Sequence, residues 1–261
     1  MKKALAAVLA AVLLVPAIAF AADDKVIKVG VTPFPHKDIM EAARPLLEKE
    51  GYELKIVEFT DYVTPNTALA EGAIDANFFQ HVPYFDNANK ERGLKCVWVA
   101  KIHIEPMGLY SSKVKSVDEI EEGAQIAIPN DATNCARALR VLEKAGLIKV
   151  KEGELITAKD ITDNPKKLKI SEIDAAQLPR TLQDVTAAVI NTNFAGEAGL
   201  NPAKDAIVIE DKDSPYANII VVREADKDSD KTKALVKATQ SPEVKAFIEK
   251  DLVPRGIVPA F

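Results

Sequence analysis

The chain contains little cysteine and little histidine, and each shortage excludes a class of protein. Two cysteines, Cys96 and Cys135, occur among 261 residues, which is too few for a disulfide scaffold. Cys96 lies in an apolar run and Cys135 at a predicted helix start, so a single disulfide and two buried free thiols both stay open. The three histidines, His36, His81 and His103, show no H-x-x-x-H spacing, and no C-x-x-C occurs, so we expect no metal site.

A surplus of basic residues is also absent. The chain carries 34 lysines and arginines against 39 aspartates and glutamates, a net charge of −5, so we expect no nucleic-acid partner. It has neither the G-x-G-x-x-G of dinucleotide-binding folds nor the G-x-S-x-G of serine hydrolases. We therefore expect no cofactor and no enzymatic activity. A thiol enzyme that pairs Cys135 with His81 is an alternative, but no spacing supports it.

No apolar run is long enough to span a membrane, although the N-terminus is apolar. Residues 1–3 are basic at two positions, residues 4–18 are apolar apart from Pro16, and Ala19-Phe20-Ala21 is typical of a cleavage site. A membrane-spanning helix needs about 20 apolar residues. We therefore predict that residues 1–21 are a signal peptide that is removed on export. Because no cysteine lies near the cleavage site, we expect no lipid anchor.

The rest of the chain has an ordinary globular composition, 48% hydrophobic and 28% charged, and alternates strand and helix patterns. The order from residue 25 to residue 78 is β-α-β-α-β, which predicts a parallel sheet with covering helices. Two adjacent strand-like runs, 94–104 and 107–111, then break this order. We predict two α/β lobes joined by two crossings, with a cleft between them. One lobe comprises residues 22–104 and 206–261, and the other comprises residues 105–205.

A short predicted strand at residues 74–78 is followed by two rings and an imidazole. Ligands of open α/β sheets bind at the carboxyl ends of strands, so we expect Phe79, His81 and Tyr84 to line the cleft. Tyr62, Phe79 and Tyr84 could form a wall for an apolar ligand side chain, and aromatic edges suit a thioether. The alternative is that the rings are ordinary core residues and that His81 is a surface imidazole.

Polar groups suited to a small charged ligand occur at a predicted helix start and at predicted strand ends. Residues 130–137 begin a helix, whose free N–H groups favour an anion, and Arg137 offers a fork matched to a carboxylate. Alternatively, Arg137 pairs with an acidic neighbour on a solvated face. Asn191, Asn193 and Asn218 lie at strand ends, where amides can bind an ammonium group or simply form turns.

Six segments considered together resemble one family. They are Asp61-Tyr62-Val63-x-Pro65-Asn66, residues 72–84, Pro129-Asn130-Asp131-x-Thr133-Asn134-x-x-Arg137, Ala176-Gln177-Leu178-Pro179-Arg180, Ala188-Val189-Ile190-Asn191-Thr192 and Glu210-Asp211-Lys212-x-Ser214-Pro215-Tyr216-x-Asn218. This pattern resembles the NlpA lipoprotein family, the methionine-binding proteins of methionine ABC importers. The resemblance extends over nearly the whole exported chain.

The resemblance implies a periplasmic-binding-protein fold of type II-like architecture, with two α/β lobes that close on methionine. By analogy, Arg137 would hold the α-carboxylate, and Asn191 or Asn193 with Asn218 would hold the head group. The aromatic residues would enclose the side chain. The implied ligand-binding residues are Tyr62, Phe79, His81, Tyr84, Asn134, Arg137, Asn191, Asn193 and Asn218.

The resemblance also implies partners and leaves the ligand partly open. A monomeric receptor would deliver methionine to a cognate ABC permease and ATPase at the inner membrane. Family members commonly have a cysteine at the cleavage site, whereas this chain has alanine and phenylalanine there, so we expect an unanchored periplasmic receptor. L-methionine, D-methionine, a methionine-containing dipeptide and another amino acid remain alternatives. A metal ligand would require His36, His81 or His103 to converge, which the sequence does not indicate.

Overall fold

The computed structural model describes residues 25–211 and 214–261. The predicted signal peptide, residues 1–21, therefore lies outside the described residues. Among the residues described, no helix is both long enough and apolar enough to cross a bilayer.

The described chain folds into strands and helices in the alternating order that the sequence predicts. The strands are β1 Val26–Val31, β2 Glu53–Glu58, β3 Ala76–His81, β4 Cys96–Ile104, β5 Gly108–Tyr110, β6 Gln125–Pro129, β7 Lys149–Val150, β8 Ile161–Asp163, β9 Lys169–Ile173, β10 Ala187–Ile190, β11 Val208–Ile209, β12 Ala217–Arg223 and β13 Val258–Pro259. The helices are α1 Asp38–Lys49, α2 Thr64–Ala70, α3 Val82–Arg92, α4 Ala132–Lys144, α5 Leu178–Thr181, α6 Thr192–Glu197, α7 Pro202–Asp205, α8 Asp230–Thr239 and α9 Pro242–Phe247.

Two mixed sheets carry the fold. The first has the strand order β13-β4-β12-β3-β1-β2, and the second has the order β11-β5-β10-β6-β9. The chain leaves the first sheet after Ile104, enters the second at Gly108, leaves it after Ile209 and re-enters the first at Ala217. Strands β7 and β8 form a separate hairpin that the sequence analysis did not predict.

Helices bury one apolar face each against these sheets. Amphipathic α1 packs on the first sheet through four residues, namely Ile39, Met40, Ala43 and Leu47. Amphipathic α4 packs on the second sheet, where Leu139 and Leu142 join a cluster with Ile126 and Ile128. Burying a side chain of this size contributes about 1.5–3 kcal/mol, so these faces fix the helices on their sheets.

Strand β3 differs from its prediction in a way that moves site residues. The sequence predicts a strand at 74–78, whereas β3 runs from Ala76 to His81 and is buried throughout. The extension arises because β12 pairs antiparallel with β3 and places Asn218 opposite His81. Phe79 and His81 therefore lie within the strand rather than beyond its end. The partner strand is more than 130 residues distant in sequence, so a local pattern could not show this pairing.

Candidate functional site

A narrow cavity lies between the two sheets. Its lining comes from the loop before α2, from β3, from the crossing after β4, from the starts of α3 and α6, from the first two turns of α4, and from the start of β12. The structure brings together at this cavity all nine residues named from the sequence, together with three others. The lining residues are Tyr62, Phe79, Gln80, His81, Tyr84, Glu105, Asn134, Arg137, Asn191, Thr192, Asn193 and Asn218.

His81 links β3 of the first sheet to α4, which packs on the second sheet. Its Nδ1 accepts a hydrogen bond from the backbone N–H of Tyr84 at 3.1 Å and so caps α3. The proton therefore sits on Nε2, which donates to Oδ1 of Asn134 at 3.0 Å. Burial, reinforced by the nearby Arg137 charge, lowers the pKa of His81 to about 3. His81 is thus a neutral, buried donor, and the surface-imidazole alternative is wrong.

Asn134 is held as a fixed acceptor at the start of α4. Its Nδ2 donates to the carboxylate of Asp131 at 3.0 Å, which orients the amide. Its Oδ1 accepts from His81 and also from Nδ2 of Asn191 at 3.0 Å. Since the oxygen has only two lone pairs, Asn134 has no acceptor capacity left for a ligand. We infer that its role is to position His81 and Asn191.

Two buried amide atoms at the cavity lack a hydrogen-bond partner among the described residues. Asn191 uses its Nδ2 on Asn134, while its Oδ1 is unpaired. Asn193 accepts a hydrogen bond from the hydroxyl of Tyr62 at 2.5 Å, while its Nδ2 is unpaired. Leaving a buried polar atom unpaired costs about 1–3 kcal/mol. One unpaired acceptor and one unpaired donor therefore suit a ligand that carries both a cationic and an anionic group.

Aromatic rings form the opposite, apolar side of the cavity. The Tyr62 ring centroid lies 5.9 Å from that of Phe79, 5.8 Å from that of Tyr84 and 4.9 Å from that of Phe194. The Tyr84 hydroxyl donates to the backbone carbonyl of Tyr62 at 2.8 Å, which fixes both rings. Burial raises the pKa of both tyrosines well above the ordinary value, so both stay neutral. These contacts leave a rigid apolar wall.

Arg137 is buried and already makes an ion pair. It is 2% exposed, so the alternative of a solvated face is wrong. Its Nε and Nη2 bind the carboxylate of Glu210 at 3.1 and 2.5 Å, and Nη2 also donates to the backbone carbonyl of Glu105 at 2.7 Å. Its guanidinium lies 4.0 Å from the ring centroid of Tyr216. Nη1 makes no hydrogen bond within the described ranges, so Arg137 has one nitrogen left for an anion in the cavity.

Two histidines converge beside this cavity, contrary to the sequence expectation. The Nε2 atoms of His103 and His36 lie 2.7 and 3.3 Å from Oε1 of Glu105, and all three residues are buried. Their ligand atoms lie within 4.8 Å of one another, close enough to share a metal ion. The convergence arises because β4 and β12 pair side by side and place His103 opposite Asn218, which also binds His36 at 3.0 Å. A sequence without metal-ligand spacing cannot show such a long-range pairing.

Three lining residues escaped the sequence analysis, namely Gln80, Glu105 and Thr192. Glu105 directly follows the end of β4, and the reasoning that selected Asn191 after β10 would have found it. Gln80 lies inside β3 and exchanges hydrogen bonds with Asn66 at 2.8 and 2.9 Å. The sequence analysis did not select Gln80 because it predicted that the strand ends at residue 78.

The cysteines do not form the catalytic pair that a thiol enzyme needs. Cys96 and Cys135 are both buried and free, so the disulfide alternative is wrong. Burial, together with the neighbouring Glu172, raises the pKa of Cys135 to about 12, so the thiol does not ionise at neutral pH. His81 directs its two ring nitrogens to Tyr84 and Asn134 rather than to Cys135.

Comparisons with known proteins agree with this geometry. The D-methionine-binding lipoprotein MetQ of Salmonella typhi is 51% identical over 227 residues, which cover 85% of this chain and 84% of the relative. A nutrient-binding protein from Burkholderia cenocepacia, solved bound to methionine, matches with a TM-score of 0.87 and 51% identity. The alignment covers 90% of this chain and all of that one. A periplasmic substrate-binding protein of an ABC transporter from Coxiella burnetii matches with a TM-score of 0.86, 47% identity, and coverage of 90% and 100%. The predicted periplasmic-binding-protein fold is confirmed.

The expectation of an unanchored receptor is contradicted by the same comparisons. The sequence model described as NlpA lipoprotein matches residues 27–261, and the Salmonella relative is named a lipoprotein. These names point to lipid-anchored periplasmic proteins. The expectation rested on the local sequence Ala19-Phe20-Ala21-Ala22, which lies outside the described residues and is a weaker guide than similarity over nearly the whole chain. The match over residues 27–261 shows that this chain belongs to the NlpA lipoprotein family.

Proposed function

We propose that this protein is a periplasmic receptor that captures methionine and delivers it to an ABC importer. The observation that carries the proposal is the division of the cavity into two sides. One side is a wall of tyrosine and phenylalanine rings, and the other presents an unpaired amide acceptor and an unpaired amide donor. A methionine zwitterion offers a thioether chain for the first side and two opposite charges for the second.

The polar side suggests how the ligand's head group binds. The α-carboxylate would accept hydrogen bonds from Nδ2 of Asn193 and from Nη1 of Arg137. The α-ammonium group would donate to Oδ1 of Asn191. Asn218 also lines the cavity, but its Oδ1 already accepts a hydrogen bond from His36. Asn134 and His81 would support this arrangement through hydrogen bonds to each other and to Asn191.

The thioether chain would lie against Tyr62, Phe79 and Tyr84. Sulfur atoms make favourable contacts with ring edges, each contributing about 0.3–1.5 kcal/mol. The tyrosine hydroxyls are occupied by Asn193 and by a backbone carbonyl, so this wall offers little to a polar side chain. This preference favours methionine over amino acids with charged or amide side chains.

The proposed mechanism of capture is closure of two lobes. One lobe would comprise residues 25–104 and 210–261, and the other would comprise residues 105–209. The boundary expected at residue 206 moves to residue 210 because β11 pairs with β5 of the second sheet. Hydrogen bonds from Tyr62 to Asn193 and from His81 to Asn134 join the lobes across the cavity. Ligand would enter when these contacts open.

The partners follow from this role. The loaded receptor would dock on a cognate ABC permease with its ATPase, since the Coxiella neighbour is named as part of an ABC transporter. We propose that the receptor works as a monomer, because a single chain supplies every residue that lines the cavity. We also propose that it has no catalytic activity, because burial keeps the Cys135 thiol protonated and His81 directs its ring nitrogens to Tyr84 and Asn134.

Calorimetric titration tests the proposed function. The protein is unfolded, dialysed to remove bound ligand, refolded, and titrated with L-methionine and then D-methionine. We expect one-to-one binding of at least one enantiomer, and the two titrations rank the enantiomers. Titration with methionine dipeptides and with glutamine tests the alternatives. Folded, ligand-free protein that gives no heat with either enantiomer would refute methionine as the ligand.

A further inference from the structure

A patch on the first sheet combines the single tryptophan of the chain with four lysines. Trp98 on β4 is 38% exposed, although tryptophan is usually largely buried. Its side chain borders a shallow groove whose other side is the exposed face of α8. We call this surface the Trp98 patch, and its polar and aromatic members are Trp98, Lys101, Lys227, Asp228, Lys233 and Lys237.

The lysines of the Trp98 patch outnumber the acids that can offset them. Lys237 makes an ion pair with Glu50, and Asp228 can offset one further lysine. Two positive charges therefore remain in excess, on a protein whose net charge is −5. Lys101 holds its ammonium group over the Trp98 ring, 5.6 Å from the ring centroid, so the aromatic and basic parts form one surface. This surface is complementary to an anionic one.

The acidic turn before α8 does not reverse this excess. Asp226 pairs with Arg223 at 2.6 Å, and Glu224 is accompanied by Lys95, whose backbone carbonyl accepts from its N–H at 2.9 Å. Asp230 lies in a separate groove, where basic and acidic side chains are equal in number. They are Lys25, Arg223, Lys231, Asp75, Asp226 and Asp230. The charges of this second groove balance, so the positive excess stays at the Trp98 patch.

The Trp98 patch lies close to the start of the folded chain and away from the cavity. Lys25 lines the second groove, and Thr232 borders both grooves. The far end of β4 lies at the cavity, where His103 pairs with Asn218. The family name denotes a lipoprotein, and an anchor that precedes Lys25 would bring this part of the first sheet towards a membrane.

A lipid surface suits the Trp98 patch better than a second copy of the chain does. An isologous dimer opposes identical surfaces, so it would set these lysines against the same lysines of the partner. Anionic headgroups would instead attract them. The boundary between headgroups and acyl chains is also where tryptophan rings and lysine stems are favoured, because both are amphipathic.

We propose that the Trp98 patch is a membrane-contact surface, which binds anionic phospholipid headgroups and places the Trp98 ring at the bilayer interface. The first sheet then rests on the membrane, and the cavity lies at the far end of β4 from this contact. The contact does not depend on the ligand, so it goes beyond the receptor function. It also acts in addition to an anchor, since a lipid chain and a basic surface together hold a protein more firmly than either alone.

Fluorescence of Trp98 tests the proposal on the unmodified protein, because no other tryptophan contributes to the emission. The probes are vesicles of phosphatidylglycerol and phosphatidylcholine in equal amounts, and vesicles of phosphatidylcholine alone, each with acyl chains brominated to quench nearby tryptophan. We expect a blue shift and quenching with the anionic vesicles, and an apparent affinity at least ~10-fold lower for the neutral ones.

Two outcomes of this experiment would overturn the proposal. Protein that sediments with the anionic vesicles while its Trp98 emission stays unchanged would be held by another part of the chain, such as an anchor. A blue shift that appears without vesicles and grows with protein concentration would show that a second copy covers the patch.

Paired lysine variants separate a local contact from a response to net charge. Lys101→Gln with Lys233→Gln removes two charges from the Trp98 patch, whereas Lys159→Gln with Lys169→Gln removes two from exposed positions of the second lobe. We expect the first pair to lower the affinity for anionic vesicles, measured by Trp98 quenching, by roughly 10-fold, and the second pair by less than about twofold. Circular dichroism shows that both proteins are folded. An equal response of the two pairs, whether both lose affinity or neither does, would overturn the assignment to this patch.

Discussion

At the scale of single residues, the cavity depends on groups held in one protonation state and one orientation. His81 is neutral because its burial opposes charge and because Nδ1 accepts from the backbone of Tyr84. Asn134 is oriented by Asp131, and Arg137 is oriented by Glu210. The ligand would therefore meet donors and acceptors that have little freedom to rearrange, which lowers the entropy cost of binding.

Replacing His81 should change how stability depends on pH. The pKa of His81 is about 3 in the folded state and near 6.5 in the unfolded state, so only the unfolded state binds this proton between those values. Stability is therefore lost as the pH falls below about 6.5, by up to ~1.4 kcal/mol per pH unit for this group. We expect the free energy of unfolding of His81→Gln to fall less steeply with decreasing pH, by up to ~1.4 kcal/mol per pH unit. Urea unfolding at pH 5 and pH 7 measures the difference, and parallel curves for the two proteins would contradict it.

Removing the Arg137 side chain should weaken both binding and folding. Arg137→Ala leaves the carboxylate of Glu210 without its ion pair, and the proposed ligand carboxylate without a cation. We expect a loss of roughly 100-fold in methionine affinity and about 3 kcal/mol in the free energy of unfolding.

Arg140 provides a matched control one turn further along α4. Its side chain is 43% exposed and pairs with Glu143 three residues on. Arg140→Ala should change stability by less than about 1 kcal/mol and leave calorimetric binding of methionine unchanged. Near-native affinity in Arg137→Ala, measured beside this control, would rule out Arg137 as a ligand-binding residue.

At the scale of elements, the sequence predicts most strands and helices but not the pairings that create the site. Helix α1 ends before Gly51, and α3 ends before Gly93. Gly93 takes a left-handed conformation with φ of 59°, which is typical of a glycine that ends a helix. In contrast, β3 runs three residues past its predicted end because β12 pairs with it. Glu105 and His103 converge with His36 for the same reason, since β12 also pairs with β4.

A buried amide network ties α2 to β3 and should be sensitive to truncation. Asn66 on α2 exchanges hydrogen bonds with Gln80, and its Oδ1 also accepts from Nδ2 of Asn77 at 2.9 Å. Asn66→Ala would leave donors on both β3 residues without this acceptor. We expect a loss of about 1–3 kcal/mol in the free energy of unfolding, measured by urea denaturation. A loss within experimental error would show that the network does not stabilise this junction.

The packing of α6 against the turn Pro33–Lys37 should control closure of the lobes. A Cβ atom built on Gly196 of α6 would overlap the ring of Phe34. The guanidinium of Arg255 also lies over this ring, 3.7 Å from its centroid. Phe34 belongs to the first predicted lobe and Gly196 to the second. Gly196→Ala should therefore hinder the closed state and lower methionine affinity by roughly 10-fold or more.

A second substitution separates this effect from damage to α6. Phe34→Ala combined with Gly196→Ala removes the overlap and should recover most of the affinity that the single variant loses. Calorimetry measures both affinities, and small-angle scattering with methionine should show a larger radius of gyration for Gly196→Ala alone. If the double variant binds no better than Gly196→Ala, the contact does not govern closure.

At the scale of the whole molecule, the two-sheet arrangement places the cavity where both crossings meet. The sequence predicts two lobes and a cleft because strand-like runs follow one another without a helix at residues 94–111. It also predicts the nine residues that meet at the cavity, seven of them by their position at strand ends or helix starts. It misses the convergence of His36 with His103 and Glu105, because this convergence depends on the pairing of β12 with β4, which are distant in sequence.

The most direct test of the central claim is a crystal structure of the ligand-stripped protein soaked with methionine. The account predicts density for one methionine in the cavity, with its carboxylate within about 3 Å of Nδ2 of Asn193. Its sulfur should contact the rings of Tyr62, Phe79 or Tyr84. Methionine bound elsewhere, or a cavity that stays empty at a saturating concentration, would contradict the account.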